Sequence, residues 1–140
     1  MSLSVGFDVG GSTVRAGLVA FEDDDSRGWR ILDQRRELLE ASEKRPETVV
    51  RVIRRMFESL VTDAGLEAPV TRIGIGLCGQ MTDNGRFVAN APNLGWRNVG
   101  IAELLEREHE AVEKFLSTRL IGSQEEVLFD AHCAAKEVPK

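Results

Sequence analysis

The sequence has little cysteine, no long apolar run and no excess of positive charge. Its two cysteines, Cys78 and Cys133, form no C-x-x-C pair, which is typical of a cytoplasmic protein with reduced thiols. It contains no run of about 18 apolar residues and no leader peptide, so we expect no membrane partner. Lysine and arginine total 18 against 23 acidic residues, and the net charge of −5 argues against nucleic acid as the main partner.

The length and composition indicate one globular domain. A chain of 140 residues can bury the core of one domain, but not of two. Hydrophobic residues make up 42% of the sequence and charged residues 29%, which is typical of a soluble globular protein. An oligomer is neither indicated nor excluded.

The stretch that organises the chain lies near the N-terminus, where two β-rich apolar runs flank a Gly10-Gly11-Ser12 turn. This pattern predicts a hairpin. Glycine permits positive φ and leaves no side chain between backbone and ligand, so successive N–H groups of this turn could bind phosphate oxygens. The hydroxyls of Ser12 and Thr13 add donors, and Asp8 would act through Mg²⁺ or a bridging water. The alternative is an ordinary hairpin that binds no ligand.

A third antiparallel strand is predicted after an acidic turn. Residues 22–28 are interpreted as this solvated turn rather than as a metal site, because no spaced set of ligands accompanies the acids. Residues 29–38 then predict the strand. We expect Ile31 to face the core, together with Leu38 and Leu39.

The most regular helical pattern covers residues 46–64. Pro46 suits the first helical position, Glu47 complements the positive end of the helix dipole, and Gly65 is a natural stop. Apolar residues recur at helical spacing: Val49, Ile53, Met56, Phe57, Leu60 and Ala64. Residues 70–77 follow as a buried strand. A helix between two extended segments favours a crossover that places this strand parallel to the first.

The segment after this strand contains candidate ligand-binding residues. Residues 83–85 predict a turn, and a short extended run follows at residues 86–89. Ligands of open α/β sheets bind beyond the carboxyl ends of parallel strands. Gly79, Gln80 and Asn93 are therefore expected where a substrate would lie.

Two motifs together carry a family resemblance. Asp8-Val9-Gly10-Gly11-Ser12 resembles the phosphate motif of the actin-like, or ribonuclease-H-like, ATPase fold. Residues 76–80, then Asp83 and Gly85, then residues 91–96 resemble the ROK family of sugar kinases and sugar-responsive repressors. The resemblance implies an α/β domain with a three-strand antiparallel meander, a crossover helix and parallel strands.

The resemblance also implies roles for individual residues. The phosphates of Mg-ATP would meet the first motif and its neighbour, with Asp8 reaching the metal through water: Asp8, Gly10, Gly11, Ser12 and Thr13. The sugar, a hexose or amino-hexose, would be lined by three residues: Gly79, Gln80 and Asn93. Three further residues would hold the sugar loop in shape rather than touch substrate: Pro92, Leu94 and Trp96.

The resemblance divides the chain into an N-terminal actin-like lobe at residues 1–107 and an atypical helical tail at residues 108–140. The family should offer a strand ending in an Asn-Asp pair, whose Asp is the general base. Instead the helical pattern that begins at residue 101 continues into the tail, and His109 does not start an H-E-x-x-H zinc motif. Residues 126–137 match the family weakly. There Asp130 is a weak candidate base, and a surface acid is the preferred interpretation.

Several parts of the family pattern are not found in this sequence. These are its zinc motif, its later sugar-binding acids, its second phosphate segment, its adenine pocket and the helix-turn-helix of its repressors. We therefore expect the N-terminal lobe of an ATP-dependent sugar kinase, incomplete and inactive alone, with a tail that docks weakly. The alternatives are a non-catalytic sugar- or phosphate-binding module and a degenerate remnant of the family.

Overall fold

A computed structural model describes residues 2–22, 25–65, 68, 70–83, 85–108 and 127–129. In chain order its elements are β1 (Ser2–Val9), β2 (Thr13–Glu22), β3 (Asp25–Leu38), a 3-10 turn (Ala41–Glu43), α1 (Pro46–Ala64), β4 (Val70–Leu77), β5 (Gln80–Thr82), β6 (Phe87–Ala91), β7 (Trp96–Val99), α2 (residues 101–108) and β8 (Val127–Phe129). Among the described residues, five strands form one sheet in the order β3-β2-β1-β4-β8, and three form a second sheet in the order β5-β6-β7.

The predicted N-terminal hairpin is confirmed. β1 and β2 pair antiparallel from Ser2 opposite Phe21 to Val9 opposite Val14. Buried and more exposed residues alternate along both strands, as the period of two in a strand requires. The hairpin therefore has one face in the core and one face open.

The crossover is confirmed as well. β4 lies parallel to β1, with Val5 opposite Ile73 and Phe7 opposite Ile75, and α1 connects it to the antiparallel strands. Pro46 occupies the first turn of α1. Gly65 ends it with a φ of 62° and donates its N–H to the Thr62 carbonyl. These are the start and stop signals predicted from the sequence.

The core lies between α1 and one face of the larger sheet. The inward face of α1 is made of eight buried residues: Val49, Val50, Val52, Ile53, Met56, Phe57, Leu60 and Val61. They join one cluster with the inward residues of β1, β2 and β4, and with Ile101 and Leu105 of α2. Burying one such aliphatic or aromatic side chain contributes about 1.5–3 kcal/mol, so this layer is the main source of stability.

The prediction that Ile31 and Leu38 face the core is wrong, whereas Leu39 is buried as expected. Ile31 is 49% exposed and Leu38 65% exposed. The β3 residues opposite the buried Ala16 and Leu18 are Arg35 and Asp33. The core-side positions of β3 are thus largely polar, although Leu32 packs against the core cluster. At this edge Arg35 meets Ser59 and Asp63 on the polar flank of α1.

The second sheet was predicted only as a turn and a short extended run. β5, β6 and β7 form an antiparallel meander with Gln80 opposite Asn90 and Ala91 opposite Trp96. Val88, Leu94 and Trp96 bury their side chains in the same core cluster as α1. These three residues therefore attach the meander to the main domain.

Within the tail, residues 127–129 form the strand β8. β8 pairs parallel with β4, with Ile73 opposite Val127 and Ile75 opposite Phe129. Asp130 and His109 lie outside the described residues. In the part of the chain that the structure covers, no helix has the length and apolar character needed to cross a bilayer.

Candidate phosphate and sugar site

The predicted phosphate and sugar residues converge at one edge of the larger sheet. β1 and β4 are parallel neighbours and end side by side, with Val9 opposite Leu77. The Cys78 N–H donates to the Val9 carbonyl at 3.1 Å, which fixes the start of the segment after β4 beside the hairpin turn. Both motifs of the sequence therefore leave the sheet at its carboxyl edge, where ligands of such sheets bind.

One N–H group of the hairpin turn forms a hydrogen bond within the turn. The Gly10 N–H donates to the Thr13 carbonyl at 2.8 Å, and the Ser12 carbonyl accepts the Leu39 N–H at 2.8 Å. The described structure gives the Gly11 and Ser12 N–H groups no hydrogen-bond partner. These two donors, rather than a run that includes Gly10, are available for phosphate oxygens.

The turn does not use the positive φ that glycine permits. Positive φ among the described glycines occurs at Gly65, Gly85 and Gly95, and neither Gly10 nor Gly11 adopts it. The freedom that glycine offers in φ is therefore not used in this turn. A different constraint applies at Gly11, where a Cβ would lie 2.5 Å from Asn93 Cβ and 3.2 Å from the Asn93 carbonyl oxygen. The structure thus brings the predicted sugar loop directly against the predicted phosphate turn.

Asp8 lies on the open face of the larger sheet. It is exposed, and its cross-strand neighbours are Arg15 on β2 and Gly76 on β4. Asp8 and Arg15 line a cleft of about 530 Å³ on this face. The described residues bring no three His, Cys, Asp or Glu side chains together as metal ligands. Magnesium often binds through one carboxylate, phosphates and water, and a single exposed Asp8 beside the turn fits that mode.

Gly79 is buried against β6. A Cβ there would lie 2.8 Å from the Asn90 carbonyl oxygen and 2.9 Å from Ala91 Cβ, so the close approach of β6 explains the glycine. Gln80 is exposed and lies opposite Asn90 on β6. Sequence reasoning did not single out Asn90 as a polar neighbour of Gln80. Only the strand register places Asn90 opposite Gln80, so no local signal in the sequence could have identified it.

The resemblance implied three residues that hold the sugar loop in shape, and two of them are buried under the loop. Leu94 is 5% exposed and Trp96 3% exposed, whereas Pro92 is exposed. Trp96 Nε1 donates to the Lys44 carbonyl at 2.6 Å. The Gly95 N–H donates to the Pro92 carbonyl at 3.1 Å and closes the loop. Asn93 is left exposed at the top of this braced loop.

Three of the described arginines of α1 and β3 form ion pairs: Arg35, Arg54 and Arg55. Arg35 on β3 contacts Asp63 at 2.7 Å and Asp33 at 3.0 Å, and these hydrogen bonds raise the pKa of its guanidinium. Arg54 on α1 contacts Glu58 at 2.9 Å and Glu108 of α2 at 2.5 Å, which likewise raises its pKa. These pairs connect β3, α1 and α2, and they do not line the predicted site.

Comparisons with known proteins identify the fold and the family of this chain. A ROK family glucokinase from Streptomyces griseus, in complex with glucose and AMPPNP, matches 96% of this chain at 27% identity with a TM-score of 0.57. A ROK hexokinase from Thermus thermophilus matches 92% at 21% identity with a TM-score of 0.59. A hexokinase from Schistosoma mansoni complexed with glucose matches 99% at 19% identity with a TM-score of 0.63. The two hexokinase comparisons show the fold alone.

The chain spans about a third of the length of these solved relatives: 35%, 35% and 32% of their chains, in the same order. A search of curated proteins finds no match. The fold is that of the actin-like ATPases and hexokinases. A family model described as the ROK family matches residues 4–118, which is most of the sequence. This chain therefore belongs to the ROK family.

Proposed function

We propose that this chain supplies the phosphate turn and part of the sugar site of an ATP-dependent sugar kinase. The observation that carries the proposal is the direct packing of Gly11 against Asn93. Phosphoryl transfer requires a donor phosphate and an acceptor hydroxyl to be adjacent and in line. A turn with free N–H groups in contact with a loop that presents an amide is suited to that task.

Each residue has a defined part in this proposal. The Gly11 and Ser12 N–H groups would donate to phosphate oxygens, and the exposed hydroxyl of Ser12 adds a donor. Asp8 would hold Mg²⁺ through water, and the metal when bound neutralises charge on the phosphates. The amides of Asn93 and Gln80 would bind sugar hydroxyls. A hexose or amino-hexose is the proposed acceptor.

We expect negligible phosphorylation of glucose by the isolated chain with Mg-ATP. One lobe leaves much of the ATP without contacts, and the sequence lacks the Asn-Asp pair that would supply the general base. A coupled assay measures this directly, and turnover at typical kinase rates of about 1–100 s⁻¹ would contradict the expectation. Recovery of turnover on adding a polypeptide that covers the remaining length of the relatives would favour the kinase over a binding module or a remnant.

The role of Asp8 can be tested by the Asp8→Asn variant. The substitution removes the negative charge that would attract hydrated Mg²⁺, so the Mg²⁺-dependent part of ATP binding should fall while binding without Mg²⁺ should not. Titration calorimetry with and without Mg²⁺ measures both parts. Glu103→Gln is the matched control, because it removes one negative charge from α2, where Glu103 pairs with Arg107. Equal losses with and without the metal would show that Asp8 does not act through Mg²⁺.

A further inference from the structure

We infer that Gly11 is a positioning residue that acts through Asn93: its missing side chain sets where the sugar-binding amide stands relative to the phosphate turn. The positioning role rests on the proposed function, but the contact between Gly11 and Asn93 can be tested without any ligand. It differs from the role expected of a glycine in a phosphate turn, which is to let phosphate approach the backbone.

The first observation is the difference between the two adjacent glycines. A Cβ at Gly11 would lie 2.5 Å from Asn93 Cβ, 3.2 Å from the Asn93 carbonyl oxygen and 3.4 Å from Asn93 Cγ. A Cβ at Gly10 would meet nothing closer than the Thr13 carbonyl oxygen at 3.5 Å, an ordinary contact. Neither residue has a positive φ. The nearness of Asn93 therefore requires glycine at position 11. At position 10 neither the available space nor the backbone conformation requires glycine.

The second observation is that the loop that carries Asn93 is anchored to the core. Leu94 and Trp96 on either side of Gly95 are buried in the core, and Trp96 donates to the Lys44 carbonyl. The Leu94 N–H donates to the Ala91 carbonyl at 3.0 Å, which closes the loop from inside. Since tightly packed interiors transmit a displacement rather than absorb it, a methyl group at position 11 would push Asn93 away from the turn.

This contact has a consequence for the proposed reaction. In the proposed site a phosphate binds the turn and a sugar hydroxyl binds Asn93. The separation between the turn and Asn93 therefore fixes the distance between these two groups. Displacements of about 1 Å in such an arrangement can cost on the order of a hundredfold in rate. Gly11 would thus set the placement of the acceptor, although it need not touch the sugar.

The contact is tested by a double-mutant cycle that combines Gly11→Ala with Asn93→Gly, read out by denaturant unfolding. Gly11→Ala should raise the unfolding equilibrium constant about tenfold or more, as overpacking does. In the Asn93→Gly background, which removes the nearest atoms, the same substitution should change it by less than about threefold. Gly10→Ala is the matched control, because it changes the unfolded chain equally but meets no close atom. Additive effects in the cycle would overturn the inference.

If Gly11→Ala does not fold by itself, recovery of folded protein in the double variant supports the contact, and failure to recover it counts against the inference.

Calorimetry with glucose, and separately with Mg-ATP, then distinguishes positioning of the sugar from approach of the phosphate to the backbone. Gly11→Ala should lower glucose affinity about tenfold or more, whereas Gly17→Ala, on β2 away from the turn, should leave it unchanged. Loss of Mg-ATP affinity with unchanged glucose affinity would overturn the positioning role. If the unmodified chain binds no glucose, the proposed function fails, and the cycle alone decides the contact.

Discussion

The two tryptophans differ in their surroundings, although both lie in strands. Trp29 on β3 is 54% exposed, whereas Trp96 on β7 is 3% exposed and donates its indole N–H to the Lys44 carbonyl. This hydrogen bond is partly buried, and leaving a buried acceptor without its donor costs about 1–3 kcal/mol. Trp96 therefore connects the sugar loop to the segment that precedes α1, and Trp29 has no comparable role.

Replacing each tryptophan by phenylalanine should separate these two environments. Trp96→Phe removes the donor and part of a packed ring, so we expect a loss of about 1–3 kcal/mol in the free energy of unfolding. Trp29→Phe should change it by less than about 0.5 kcal/mol. Urea denaturation followed by circular dichroism measures both, since it does not depend on tryptophan emission. Equal effects would mean that the Trp96 hydrogen bond adds no stability.

At the scale of elements, α1 is the helix on which the core is built. Phe57 is 1% exposed on its inward face, and Thr62 is exposed on the same helix. Phe57→Ala should lower the free energy of unfolding by about 3–5 kcal/mol, because it leaves a cavity against the sheet. Thr62→Ala should change it by less than about 0.5 kcal/mol. Thermal or urea unfolding of both variants checks the expectation, and a small loss for Phe57→Ala would place the core elsewhere.

The contact between β3 and α1 is ionic rather than apolar. Arg35 pairs with Asp63 and Asp33, donates to the Ser59 hydroxyl, and has a raised pKa. A cation whose pKa is raised on folding contributes stability that is fully present below its ordinary pKa and is lost only as the pH rises through the folded value. For a guanidinium this range is strongly alkaline, so titration of Arg35 adds no pH dependence near neutrality.

Arg35→Ala should accordingly lower stability by about 0.2–1 kcal/mol, by the same amount at pH 7 and pH 9. The loss should shrink in high salt, because the side chains of Arg35 and Asp63 are 28% and 58% exposed and salt screens such pairs. Arg51→Ala serves as the control, since Arg51 is exposed and has no ion-pair partner in the described structure. A loss that varies between pH 7 and pH 9 would point to another titrating group.

At the scale of the whole molecule, β8 is the element that decides whether the lobe includes the tail. Its three residues pair with β4 at one end of the sheet order. A three-residue strand at an edge makes few hydrogen bonds, so we expect the amides of residues 127–129 to exchange with solvent much faster than those of residues 73–77. Hydrogen exchange measured by NMR tests this. Equal protection of the two strands would contradict it and would favour Asp130 as the candidate base.

Much of the fold could be predicted from the sequence because its signals are local. Apolar, β-rich runs identified β1 and β2, residues 70–77 were predicted as a buried strand, and Pro46 and Gly65 marked the ends of α1. The crossover then followed from the chain order of these elements and from the handedness of such connections. The family motifs directed attention to the edge of the sheet where β1 and β4 end.

What the tertiary structure decided depends on residues far apart in the chain. The orientation of β3 was mispredicted because the strip of α1 that it meets is polar, which no pattern within residues 29–38 can reveal. The contact of Gly11 with Asn93 likewise exists because β1 and β4 end side by side and the braced sugar loop returns over the turn. The sequence by itself determined which segments are strands and helices, because hydrophobic period and capping act within a few residues. Only packing between distant segments decided which side chains meet, and therefore where a phosphate and a sugar would be brought together.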